Sequence, residues 1–82
     1  MNILHTAGMV RWKLQGTMDA HNITRYALQK ESGVAMNTLR AMYEGSTQRP
    51  DLEVLDLIIK ALRKITGKDL GLLDVLEWAQ DG

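Results

Sequence analysis

Residues Lys30 to Gly45 read KESGVAMNTLRAMYEG, and this stretch decides the fold. One helical pattern ends at Ser32 and another begins at Met36, which leaves almost no room for a loop between them. Gly33 has no Cβ to penalise positive φ, so the chain can leave the first helix through a left-handed turn and enter the second at once. In the second pattern Leu39 and Met42 recur at i,i+3 and, with Val34, can grip an interior. Met36, Asn37 and Arg40, followed by Tyr43 and Glu44, then point away from it. Gly45 stops the helix.

Upstream, Thr24 is an N-cap for a helix over Arg25 to Ser32. An earlier helix covers Leu14 to His21, with Leu14 and Met18 at i,i+4. Just before it, VRWKL (residues 10–14) alternates apolar and basic residues. That reads either as a short half-buried strand or as an extension of the first helix. Downstream, GSTQRPD (45–51) holds the chain's single proline and is the clearest loop. Asp51 then caps LEVLDLIIKALRKI, whose apolar stripe runs Leu52, Leu55, Ile58, Ile59, Leu62, Ile65. Lys60, Arg63 and Lys64 suit the C-terminal end of that helix dipole, and Gly67 ends it. The last segment, KDLGLLDVLEW (68–78), reads as a short helix leading into an edge strand that pairs with VRWKL. The expected fold class is mainly α: five short helices in a compact bundle, with a small two-stranded pairing of the N- and C-terminal segments. Leu57, Val54, Leu72 and Trp78 are expected to be left over from the core, and exposed apolar area of that kind implies a partner. Trp12 and Trp78 are both expected to pack in the core or at the end of the sheet and not to serve as stacking platforms.

Eighty-two residues make one domain, and a chain this short buries only about 60% of its unfolded surface. With 45% hydrophobic and 24% charged residues, the composition is that of a folded protein. There is no cysteine for a disulfide or a thiolate metal site, and the two histidines, His5 and His21, lack carboxylates at ligating spacing. No metal or cofactor is implied. No apolar run approaches the roughly 20 residues of a membrane span, and MNILHTAG lacks the basic and apolar regions of a leader, so a cytoplasmic protein is expected. Net charge is zero, but it is unevenly placed: residues 1–49 carry six basic against three acidic residues, and residues 50–82 carry four against seven. A basic half and an acidic half fit a polyanion-facing surface and a partner-facing one. Neither paired carboxylates, a nucleophile with its base nor a glycine-rich phosphate loop emerges, which argues against an enzyme.

Two helices joined by a short glycine turn form the helix-turn-helix unit, whose second helix enters the DNA major groove. That groove is about 12 Å wide and admits one α-helix, where Asn can pair bidentately with adenine and Arg with guanine. Residues 9–78 resemble the Cro/C1-type (Xre-like) helix-turn-helix domain, in its small stand-alone variant. The matching pieces, in order, are VRWKL, NITRYALQKESGV (22–34), NTLRAMYEG (37–45), RPDLEVLDLIIKAL (49–62) and LEW (76–78). On this reading residues 1–8 are an N-terminal extension and 9–82 the DNA-binding domain.

The resemblance implies a five-helix λ-repressor-like bundle that binds double-stranded DNA as a homodimer and regulates transcription, most simply as a repressor. By position it puts Arg25 on a phosphate and Met36, Asn37 and Arg40 on bases. It puts Thr38 against the backbone, and Thr47, Gln48 and Arg49 in a loop that grips phosphate. Ala35 stands at the N-cap of the reading helix, where Ser or Thr is usual, and Gln29 stands where the two helices approach closely and a small residue is usual. Two further readings are an antitoxin, with a toxin as protein partner, and a helix-turn-helix interaction module without DNA binding.

Overall fold

The computed structural model describes residues 8–80; residues 1–7, including His5, and residues 81–82 lie outside it. In order along the chain come strand β1 (Gly8–Trp12), helices α1 (Leu14–Ala20), α2 (Arg25–Ser32), α3 (Met36–Glu44) and α4 (Leu52–Thr66), a 3₁₀ turn (Leu72–Asp74) and strand β2 (Leu76–Gln80). VRWKL is thus divided. It is strand as far as Trp12, and Leu14 opens α1, fully buried.

Among the described residues there are four α-helices, not five. The segment expected to form the fifth supplies a single three-residue 3₁₀ turn. Asp74 Oδ2 accepts from the Gly71 N–H at 2.8 Å, which closes the turn on itself. The Asp74 carbonyl accepts from the Thr17 hydroxyl at 2.6 Å, and the Val75 carbonyl from the Lys13 N–H at 2.7 Å. Those two bonds to the α1 region draw the chain out into β2, where a longer helix would have had to continue.

β1 and β2 pair antiparallel, with Val10 opposite Trp78, Arg11 opposite Glu77 and Trp12 opposite Leu76. The sheet is tied to the helical body through Trp12. Its indole N–H donates to the Thr47 carbonyl at 2.7 Å, and its side chain packs beside Gly45 and against the core.

The core draws on every helix: Leu14 and Met18 from α1, Leu28 from α2, Leu39 and Met42 from α3, Ile58 and Leu62 from α4, closed by Val75. The α4 stripe is narrower than its sequence suggests. Leu55, Ile58, Ala61 and Leu62 are buried and Ile59 is half-buried, but Leu52 and Ile65 are exposed. The helix ends follow local chemistry. Thr24 Oγ1 accepts from the Ala27 N–H at 3.0 Å, and Asp51 Oδ1 from the Glu53 N–H at 2.7 Å. His21 caps α1; because the Thr17 carbonyl can only accept, the 2.8 Å contact puts the proton on His21 Nδ1.

Gly33 takes φ 76°, and its N–H donates to the Gln29 carbonyl at 2.8 Å, so three residues carry the chain from α2 into α3. A Cβ at Gly33 would meet nothing within 4 Å, as would one at Gly16 on the exposed side of α1. The same substitution should therefore act in opposite directions. Gly33→Ala should lose about 1–2 kcal/mol to left-handed strain, while Gly16→Ala should gain about 0.5–1 kcal/mol from reduced unfolded-state entropy. Urea unfolding of the two variants measures both.

Candidate nucleic-acid interface

The face offered by α2 and α3 is set by what the core takes from them. Leu39 and Met42 turn one side of α3 inward, so Asn37, Arg40 and Glu44 lie outward and exposed. Thr38 is exposed on a flank. Met36 and Tyr43, expected on the outer face, are half-buried, because they border the seam with α2.

Between α2 and α3 lies an open concavity of about 540 Å³. Arg25, Met36 and Arg40 line it together, so two elements separated by the turn contribute to one surface. Thr47 and Gln48 line a different concavity, of about 230 Å³, between the sheet and the loop after α3. Asn37, Thr38 and Arg49 are exposed and line neither.

The α2–α3 concavity also contains Asp19, Thr24, Tyr26 and Tyr43, which the sequence motif did not single out as site residues. The Arg25 guanidinium sits 5.0 Å from the centroid of the Tyr43 ring, a cation–π distance. The Tyr43 hydroxyl in turn donates to Asp19 Oδ1 at 3.3 Å. Three helices thus meet at Arg25: α1 orients the tyrosine, and the tyrosine supports the arginine. A usable signal was present. Tyr43 lies seven residues after Met36, two turns along the same flank of α3, and Tyr26 follows Arg25 on the first turn of α2.

Charge pairing sharpens the division between the two halves of the chain. Among the described residues, ion pairs engage Arg11 with Glu77, Lys60 with Asp56, Arg63 with Asp69 and Lys64 with Glu31. Six cations have no such partner among the described residues; Lys13, Arg25, Lys30, Arg40 and Arg49 belong to the N-terminal half and Lys68 to the C-terminal half. Glu31, the one acidic residue of α2, lies 3.1 Å from Lys64 on α4, which offsets its charge. Glu44 remains as the acidic residue on the outward side of α3.

Ala35 takes cap geometry at φ −60° and ψ 143° but offers no side-chain acceptor, so the first turn of α3 is uncapped. Gln29 is half-buried where α2 passes the turn. Ala35→Ser should add about 0.5–1 kcal/mol, since the backbone already has the required conformation. A thermal or urea midpoint measures the gain.

The family comparison agrees with this geometry. Residues 13–70 match the model of the Cro/C1-type HTH DNA-binding domain, well over half of the chain. The chain therefore belongs to that family. No curated protein and no solved structure gives a significant match. Among the described residues, no helix is long and apolar enough to cross a membrane.

Proposed function

We propose that this Cro/C1-type domain is a sequence-specific regulator of transcription that reads the major groove of double-stranded DNA with α3. The observation that carries the reading is the pairing of Arg25 and Arg40, from two helices, along one open concavity, with neither held in an ion pair among the described residues. An arginine already neutralised by a carboxylate would have to break that pair before meeting DNA; these two do not.

Within the proposal the contacts divide into reading and gripping. Asn37 and Arg40 project outward from α3 and address base edges, Asn37 suited to adenine and Arg40 to guanine. Met36, at the rim of the concavity, offers its thioether chain to a thymine methyl. Thr38 touches backbone. Arg25, braced on the Tyr43 ring, meets a phosphate where α2 crosses the DNA strand. Thr47, Gln48 and Arg49 hold a phosphate from the loop after α3, which the Trp12–Thr47 bond anchors to the sheet. Repression requires nothing beyond such binding, because an occupied promoter excludes polymerase.

If Arg25, Arg49 and one of Lys13 and Lys30 supply the phosphate contacts, about three per protomer, a protein bound at two half-sites releases about five or six counterions. The slope of log K against log salt is then near −5. A slope shallower than about −2 favours a protein-interaction module.

Arginine substitutions separate the two roles. Arg40→Ala should cost about 1–3 kcal/mol on the preferred duplex and almost nothing on random duplex, relaxing specificity at one base position per half-site. Arg25→Ala should weaken both duplexes equally and reduce the salt slope by about one unit per protomer. Both side chains are exposed, so neither change opens a cavity. Equal proportional losses for the two variants on specific and random duplex would remove Arg40 from the groove.

A further inference from the structure

The two-stranded sheet has a face that the fold does not cover. Strand alternation puts Val10 and Trp12 of β1 on the same side as their partners Trp78 and Leu76 of β2. Trp12 and Leu76 reach the core, but further along the sheet Val10 is 66% and Trp78 62% exposed. Beside them the 3₁₀ turn presents Leu72, 50% exposed, and Leu73, 74% exposed. A shallow concavity of about 210 Å³ lies among these side chains, with Glu77 as its one polar residue. The Glu77 carboxylate is already held at 3.0 Å by Arg11.

We infer that this face is a homodimer interface, with a second copy of the chain as its occupant on a two-fold axis. Four observations select a second copy. A two-stranded sheet by itself is marginal in water, and only the Trp12–Leu76 end of this one packs on the core, which leaves the Val10–Trp78 end without an apolar surface to pack on. The patch has both a projecting part, Leu73 with Trp78, and a hollow between them. A contact between identical surfaces needs both on one patch. Val10, Leu72, Leu73 and Trp78 expose on the order of 500 Å², so two copies bury about 1,000 Å², the threshold of a specific interface. The one charge is already neutralised within the chain, so two copies meet without an unpaired ion to desolvate.

Exposed apolar residues of α4 do not form a comparable patch. Leu52 and Leu57, five residues apart, lie about 140° apart around the helix, and Ile65 is more than three turns beyond Leu52. Because Trp12 ties the sheet to the Thr47 carbonyl, joining two sheets also fixes the relation between the two α3 helices. This inference rests on the DNA-binding reading only for its consequence, two half-sites spaced by about one turn of DNA, or about 34 Å.

Sedimentation equilibrium of the full chain at micromolar concentration tests it, alongside the variants Leu73→Lys and Leu52→Lys. Twice the 9.2 kDa chain mass is expected for the unmodified protein and for Leu52→Lys. Leu73→Lys should raise the dimer dissociation constant at least tenfold while keeping the parent circular dichroism. It should bind a single half-site duplex as before and a two-half-site duplex at least tenfold more weakly. Should Leu73→Lys fail to fold, concentration-dependent protection of Trp78 from acrylamide in the unmodified protein serves instead. A strictly monomeric parent overturns the interface. So does a monomer whose Trp78 is shielded at every concentration, since residues 1–7 or another part of the chain would then cover the face. A dimer broken by Leu52→Lys and not by Leu73→Lys overturns it too. A dimer that Leu73→Lys dissociates, but that binds no duplex, leaves the interface standing and removes the DNA-binding reading.

Discussion

Helices of eight and nine residues do not persist in water on their own, because nucleation costs more than so few propagating bonds return. α2 and α3 therefore exist only while something holds their apolar sides. That support comes from Leu14 and Met18 on one side and from Ile58 and Leu62 of the much longer α4 on the other. Leu28, Leu39 and Met42, the residues by which the two short helices are held, are essentially inaccessible to solvent. Every residue proposed to meet DNA hangs from this small core. The presentation of Asn37 and Arg40 follows from how Leu39 and Met42 are seated, not from any interaction of their own.

A chain with no net charge is an unpromising polyanion binder until its charges are sorted by partner. Three of the four cations in ion pairs belong to α4, and their carboxylates come from α2, α4 and the loop after α4. The cations of α2 and α3 are in no ion pair among the described residues, and the Lys64–Glu31 pair reaches across to offset an acid of α2. Exposed ion pairs of this kind contribute little to stability. Their consequence is a distribution of charge: most of the cations without an ion-pair partner among the described residues lie in the first 49 residues.

The sheet gives the domain a second organising surface. Its inner residues, Trp12 and Leu76, join the helical core, and its outer residues, Val10 and Trp78, continue the same apolar side beyond the helices that could cover it. The Trp12–Thr47 hydrogen bond links this surface to the loop following α3. One side chain and one short loop thus connect the sheet to the C-terminal end of α3.

Helices α2, α3 and α4 were legible from the sequence to within a residue, because Thr24, Gly33, Gly45, Asp51 and Gly67 are local signals whose effect needs no distant partner. The outward placement of Asn37 and Arg40 on α3 was legible for the same reason, since helical periodicity alone separates them from Leu39 and Met42. The number of helices was not. Whether GLLDV becomes helix or turn depends on bonds from Thr17 and Lys13, which lie more than fifty residues away. Nor could periodicity foresee that Leu52 and Ile65, at the two ends of α4, would stay exposed. The seating of Arg25 on Tyr43, and of Tyr43 against Asp19, joins three helices. The sequence by itself determined the elements of the helix-turn-helix and the side that each helix offers. Only the tertiary structure decided which of those sides share a groove, because that depends on contacts between residues far apart in the chain.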